Sequence, residues 1–520
     1  MHRSSRCVFL LSIVFLCACS GGGGGTSVTG GAVWSKFRHD VGNSGLGDGS
    51  VEGNGGCIKS VQGDDGSTPA AISGSPVLGL DGSIYVGTEG GTLVSTDSRL
   101  NVRWRVTQCN TMGTPAAMQC SGLPLGPFVS SPVVYKNTRS NITSVVAADE
   151  NGSLWIFNDS GSMPTCTACF NPIGLRCSAA APACPSGESC SDSAGAPCVA
   201  ASTTCTCKTD PTITGTSFLS SPTFLTNAVT LEISGVFIGA TVVRGTNRSG
   251  VIYAVNPDGS LKWQYPQLGG PPIGTVTSSL AIGVGGLLLF STDDGTLYAL
   301  TSTGELKWTF PIGAVRTTNL RLFDPSPLTS TNVYASAAGQ IIAVTPDGNL
   351  AWRSPPTPGD DFAASLAIGN QADITPTPLP PGVPTPTPSS GTSSTTTPTP
   401  LQPASTLFGV TESGTLVVVD ALTGTVLEPT GALPTPISGA TVLSSPALSS
   451  DLYLVFGASN GTLYSVNSRT GLAPRPTPPC GGLPVQLTKG AAIRSSPSIG
   501  TDGTVYVGAD DGLLYSVGHQ

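Results

Sequence analysis

The chain has 520 residues, among them 67 glycines, 44 prolines and 15 cysteines, and only 10% are charged. With 23 basic against 31 acidic residues the formal charge is −8, so the basic footprint that nucleic-acid binding needs is absent. Length alone would suggest about three domains, unless one repeated architecture absorbs the chain as a single unit.

Residues 1–18 open with Arg3 and Arg6 and continue in an apolar run from Val8 to Ala18. The run is too short to span a bilayer and suits a secretory signal. Losing its two arginines leaves 21 basic residues against 31 acidic ones, a charge of −10. The run ends Leu16-Cys17-Ala18-Cys19-Ser20, which resembles a bacterial lipobox with Cys19 as the lipidated residue, and residues 19–33 form a glycine-rich tether. The alternative is an ordinary signal peptide with an incidental cysteine. Multiple acyl chains on Cys19 would anchor firmly, since one chain holds only marginally. Ser20, where aspartate is absent, resembles lipoproteins sorted to the outer membrane.

The rest of the chain is a repeat. Hexamers beginning at Gly91 (GTLVST), Gly152 (GSLWIF), Gly250 (GVIYAV), Gly295 (GTLYAL), Gly339 (GQIIAV), Gly414 (GTLVVV), Gly461 (GTLYSV) and Gly512 (GLLYSV) each read as a glycine turn followed by a buried strand. Around Gly295 the unit has four strands: one opening at Ser278-Ser279-Leu280, one at Leu287 to Ser291, one after Asp294-Gly295, and one starting at Gly304 to Trp308. Asp-Gly recurs at Asp81, Asp258, Asp347, Asp502 and Asp511, as tight hairpins require. Four hairpin-linked strands repeated eight times predict an all-β fold, an eight-bladed β-propeller of four-stranded antiparallel blades.

The pattern Ser-Ser-Pro, apolar strand, Asp-Gly, Tyr-Val-Gly, Asp-Gly-x-Leu-Tyr-x-Val, Gly-x-x-x-Trp resembles the repeat of pyrroloquinoline-quinone-type propellers. It is clearest at Ser496-Pro497 to Val517 and at Ser75-Pro76 to Trp104, and covers residues 34–520 outside the insertions. That family implies a fold more than a function. It holds quinoprotein dehydrogenases and also non-enzymatic members, including the lipoprotein of the outer-membrane barrel assembly machinery. Trp34 to Gly45 resembles the segment that leads into these propellers. Cys57 to Gln62 match a fourth strand, while the chain ends just after a third, so the last blade is expected to be closed by this N-terminal strand. Trp104, Trp263, Trp308 and Trp352 fall on fourth strands, where blade packing competes with cofactor stacking as an explanation.

Eight cysteines, Cys166, Cys169, Cys177, Cys184, Cys190, Cys198, Cys205 and Cys207, fall in a small-residue-rich insert at 163–210. In an exported protein four disulfides within the insert are expected, with a zinc cluster as the alternative. Cys109 with Cys120 would close one loop, and Cys57 with Cys480 would staple the closing strand. A Pro/Thr-rich tract at 371–405 is expected as a disordered spacer between the first two strands of the sixth blade.

The search for chemistry is largely negative. Only His39 and His519 lie beyond the signal, which excludes a multi-histidine site. Asp293-Asp294 and Asp510-Asp511 precede hairpin glycines, where turn chemistry competes with calcium binding. The family's dehydrogenases use an adjacent Cys-Cys pair under the quinone, and no two cysteines are adjacent here. No catalytic, cofactor or metal residue is therefore transferred. The expectation is a non-enzymatic, monomeric, lipid-anchored propeller at the bacterial outer membrane or cell surface, binding protein partners through its loops. It would bind no nucleic acid and touch the membrane only through its anchor. The alternatives are a quinone-dependent oxidoreductase and a surface protein that binds carbohydrate or another macromolecule.

Overall fold

A computed structural model describes residues 47–518, apart from 48, 52–56, 67–68, 111–119, 138–139, 173–174, 177–188, 192–205, 209–211, 227–231, 314–325, 328–331, 358, 363–364, 371–404, 428–430, 433–438 and 469–482. Eight antiparallel sheets follow one another, each with strand order 1-2-3-4. Blade 1 comprises Val77–Leu78, Ile84–Gly87, Leu93–Thr96 and Val102–Val106; blade 2 comprises Val133–Asn137, Ile142–Ala148, Leu154–Asp159 and Thr165–Phe170. Blade 3 has Thr223–Thr226, Ile233–Arg244, Asn247–Val255 and Leu261–Tyr265, and Gly215–Ser217 adds a fifth strand beside the far end of its second. Blade 4 has Ala281–Ile282, Leu288–Ser291, Thr296–Leu300 and Leu306–Pro311; blade 5 has Ser326–Pro327, Val333–Ala337, Gln340–Val344 and Leu350–Arg353. Blade 6 has Ala367–Asn370, Ser405–Val410, Thr415–Asp420 and Gly431–Ala432, and blade 7 has Ala447–Leu448, Tyr453–Gly457, Thr462–Asn467 and Val485–Gln486. Blade 8 takes Ser498–Ile499, Val505–Gly508 and Leu513–Gly518 from the C-terminus and Cys57–Gln62 from the N-terminus as its fourth strand.

The hexamers are apolar at nearly every position because both faces of each middle strand are covered. In blade 1, Ile84, Val86 and Val94 pack toward blade 8, while Tyr85 and Leu93, one residue out of phase, pack toward blade 2. Successive side chains of a strand point to opposite faces, so a blade between two neighbours needs apolar residues on both. The core is thus a closed series of interblade layers with no single centre. The hairpin glycine between strands 2 and 3 sits at positive φ, 79° at Gly295 and 80° at Gly512, where other residues are strained.

Blade 3 departs from the expected turn. Gly250 lies inside a strand, opposite Thr241, and the hairpin closes at Gly245 with φ 62°. Its second strand runs twelve residues, so the turn is displaced outward. Gly250 is needed for a different reason: its N–H bonds Ile273 O at 3.0 Å, and a Cβ there would meet Gly274 O at 2.2 Å.

Antiparallel order places all 1–2 and 3–4 turns on one face of the ring, called lower here, and all 2–3 turns and interblade connections on the other, the upper face. Closure is as expected: Cys57–Gln62 pairs Leu513–Gly518 over six residues. Residues 47–51 reach that strand across the lower face, with Gly47 N to Leu448 O at 2.6 Å and Val51 N to Asp451 Oδ1 at 3.0 Å.

The cysteine expectations need correction. Cys109 does not pair with Cys120; the disulfides are Cys109–Cys166 and Cys120–Cys169, with Cα separations of 5.3 and 6.1 Å. Cys166 and Cys169 are therefore not in a strandless insert. They lie on the fourth strand of blade 2, and the insert starts after Phe170. Two cysteines three apart on a regular strand face opposite ways, but a bulge opposite Ile156 and Phe157 sets Cys166 across from Phe157 and Cys169 across from Trp155. Both then point at blade 1. Within the insert, Cys190 and Cys207 occupy opposite positions on a small sheet of Leu175–Arg176, Thr206–Lys208 and Ser189–Ser191. Cys57 is also disulfide-bonded. Cys19, Cys177, Cys184, Cys198, Cys205 and Cys480, the lead-in at 34–45 and the tract at 371–404 lie outside the described residues.

Candidate functional site

The Ser-Ser-Pro motifs meet around the axis of the ring, where the first strands of neighbouring blades lie against one another. The second serine of each motif gives its N–H to the hydroxyl of its counterpart in an adjacent blade. Ser75 N bonds Ser131 Oγ at 2.8 Å, Ser131 N bonds Ser221 Oγ at 3.0 Å, and Ser221 N bonds Ser279 Oγ at 3.0 Å. Ser365, Ser445 and Ser496 continue the pattern, and Ser496 N to Ser75 Oγ, 2.9 Å, carries it across the seam between the chain's two ends; the blade 5 position lies outside the described residues. The first serine serves its own blade: Ser278 Oγ accepts Ser291 N at 2.9 Å, and Ser495 Oγ accepts Gly508 N at 3.1 Å. Buried hydroxyls need such partners, because an unmet one costs about 1–3 kcal/mol.

Farther out, the tryptophans grip the next blade. Trp263 Nε1 donates to Ser302 O at 3.0 Å, Trp308 Nε1 to Pro346 O at 2.6 Å, and Trp352 Nε1 to Ala421 O at 3.2 Å. In each case the receiving group is in the following blade's 3–4 turn, and a Cβ at that turn's glycine, Gly304, Gly348 or Gly424, would strike the indole within 2.8 Å. These indoles pack blades, and their N–H groups are spent.

The upper face carries the residues left for other work. The 2–3 turns of blades 1, 2, 4, 6 and 8 place Glu89, Glu150, Asp293, Glu412 and Asp510 at equivalent positions. Each backbone N–H bonds a carbonyl of an interblade connection, at 2.8 Å for Glu89 to Ala71 and 2.9 Å for Asp510 to Ala492. Some of the carboxylates brace the connections: Asp293 accepts Thr275 N and Oγ1 at 2.7 and 2.6 Å, and Asp510 pairs with Arg494 at 2.9 Å. Asp294 and Asp511 cap their own turns, through Thr296 N and Leu513 N, both at 3.1 Å. Glu150 is held above the usual carboxylate range, first by burial and then by the charge of Glu89 in the neighbouring blade. Buried Asp149 is also raised, by burial, although Trp155 Nε1, Ser153 N and Gly126 N all donate to it. Among the described residues no group of three or more His, Cys, Asp or Glu is placed to hold a metal ion.

A profile described as outer membrane protein assembly factor BamB matches residues 221–344 and 248–518. Together the two matches run from 221 to 518, more than half of the chain. The chain belongs to this family of propellers. Of solved structures, a europium-containing methanol dehydrogenase aligns with TM-score 0.55 and 12% identity, over 94% of this chain and 98% of that one. BamB from Moraxella catarrhalis aligns with TM-score 0.44 and 12% identity over 89% and 98%, and the WD40 propeller domain of Doa1 with 0.36 and 13% over 72% and 89%. At such identities the dehydrogenase likeness shows the fold alone. No curated protein matches the chain.

A quinone at the axis would need polar groups free to grip it. Wherever the circuit is described, the inner serines give their N–H groups to one another's hydroxyl oxygens, and all are at or below 7% exposure. Those N–H groups are not available to it. The serine circuit itself was missed in sequence, although Ser-Ser-Pro was visible as a motif: no local rule indicates that its partner lies one blade away.

Proposed function

We propose that this family member is a non-enzymatic scaffold at the bacterial envelope, held by acylated Cys19, whose upper face receives a protein partner. The observation that carries the reading is the division of labour among polar groups. Axial serine N–H groups and the indoles of Trp263, Trp308 and Trp352 are consumed in holding the ring, while the acidic 2–3 turns and their connections form a solvent-facing surface on a rigid frame. Membership in a family described as an outer membrane protein assembly factor supports a binding role. The dehydrogenase likeness supports only the architecture.

Photo-crosslinkers at Glu89 and Glu412 in the native envelope should yield one discrete protein adduct, which a crosslinker on the lower face at Asn349 should not. Unselective or absent adducts would overturn the reading. Adding pyrroloquinoline quinone with calcium or a lanthanide should leave the absorption spectrum the sum of its parts; stoichiometric uptake with dye reduction would establish the oxidoreductase instead.

A further inference from the structure

Nine large apolar side chains are exposed among the described residues, and eight of them sit on the lower face. Leu80 is in the 1–2 turn of blade 1, and Ile142 opens the second strand of blade 2. Met163 and Leu422 occupy the 3–4 turns of blades 2 and 6. Ile58, Leu306 and Leu350 begin fourth strands, and Val426 bridges Val419 just past the turn holding Leu422. Leu268 alone is on the upper face. Isolated exposed leucines need no explanation, but a one-sided set spread around a ring does.

A further observation indicates what covers this face. The described chain enters there: Gly47 and Val51 are tied to the 1–2 turn of blade 7, and Gly49 and Ser50 lie against Gly500 and Gly503 in that of blade 8. Only 27 residues separate Gly47 from Cys19, which even at full extension keeps Cys19 within about 95 Å of this face. Carboxylates lie on both faces, Asp81, Asp97, Asp258, Asp347, Asp420, Asp451 and Asp502 among them on the lower one, so charge does not choose between the faces.

We propose that the lower face rests on a phospholipid bilayer, its apolar rim entering the headgroup layer while the upper face is turned to the aqueous side. The proposal rests on the Cys19 anchor. Each side chain alone binds weakly, but a tether makes the contact intramolecular and supplies the effective concentration that a weak surface lacks. Exposed Lys59 and Lys307 directly follow Ile58 and Leu306, so their ammonium groups can reach lipid phosphates. This orientation presents the upper face to soluble or membrane-protein partners.

The test uses the full acylated chain in vesicles of phosphatidylethanolamine and phosphatidylglycerol, without other protein. Flotation is read first, against Cys19→Ala: if both float alike or neither floats, the anchor fails and the proposal with it. Leu422→Trp and Leu268→Trp each add one indole at an exposed site, and quenching by lipids labelled near the headgroup is compared with the parent chain. The added indole at 422 should be quenched at least twofold more than that at 268. Equal quenching, the reverse order, or none at either site in floating protein would overturn the proposal.

Discussion

Blade 4 meets blade 5 and blade 1 meets blade 2 by different means. Between blades 4 and 5, Trp308 lies over Gly348 and donates to Pro346 O. Between blades 1 and 2 the equivalent Trp104 is buried, and among the described residues its Nε1 has no partner. The 3–4 turn of blade 2 is held instead by buried Asp159, which accepts Tyr85 Oη at 2.8 Å and Arg103 at 2.9 Å. In blade 2 the tryptophan position itself is Ala168, and two disulfides from Cys166 and Cys169, on the other face of that strand, reach back to the segment that follows blade 1. The indole joint needs only a glycine and a carbonyl on its partner. The first joint lacks that pairing and is covalently tied.

The largest break should come from the covalent joint. Cys109–Cys166 spans 57 residues, and closing a loop of that size is worth about 4 kcal/mol in the chain-entropy model. Cys166→Ala with Cys169→Ala removes both bridges, and the second adds less because its loop overlaps most of the first. Urea unfolding of the double variant should show a destabilisation of about 4 kcal/mol. Adding reductant should then lower its midpoint less than the parent's.

The indole joint should respond through coupling. At Gly348, φ is 83° and a Cβ would come within 2.6 Å of Trp308. Gly348→Ala should cost about 2 kcal/mol, of which the left-handed backbone accounts for about 1–2. Trp308→Ala, half-buried and hydrogen-bonded, should cost about 2 kcal/mol. In the double variant the clash is gone, so the sum should fall short of additivity by about 1 kcal/mol in a double-mutant cycle. Strict additivity would mean that the two residues do not share the joint.

The same contrast explains what the sequence revealed. Joints built from repeated motifs were legible: Asp-Gly, the apolar hexamer and the fourth-strand tryptophan recur in register, so blade count, strand order and the closing strand followed from period and turn chemistry. Cys109, Cys120, Cys166 and Cys169 were assigned the wrong partners because the pairing depends on one bulge, which changes facing without leaving a mark in composition. Gly250 was taken for a turn glycine because a lengthened hairpin and a close backbone approach select the same residue. The serine circuit joins residues 51 to 421 positions apart, and only the closed ring brings them together. Of the candidate surface, the acidic turns were visible but read singly; their alignment on one face follows only from antiparallel order.

The smallest effect concerns the upper side of the first joint, where Glu89 and Glu150 face each other from blades 1 and 2. The Glu150 carboxyl is raised from 4.5, first by burial, then by Glu89, then by Asp149. A raised carboxylate favours the protonated form in the folded ring. Its contribution to stability is therefore fully present below the unfolded value and is lost as pH rises through the folded one. At neutral pH the ionised group works against the joint that the disulfides hold. Glu150→Gln removes that charge, so at pH 7 it should stabilise the protein, by no more than about 0.5 kcal/mol because solvent screens a carboxylate this open. Below pH 4 the difference from the parent should vanish, since both side chains are then neutral. Glu89→Gln removes only the repulsion and should recover a smaller part. Thermal unfolding at pH 7 and pH 4 in low salt decides it: a Glu150→Gln effect that is equal at both, or larger in acid, would rule out the charge as its cause.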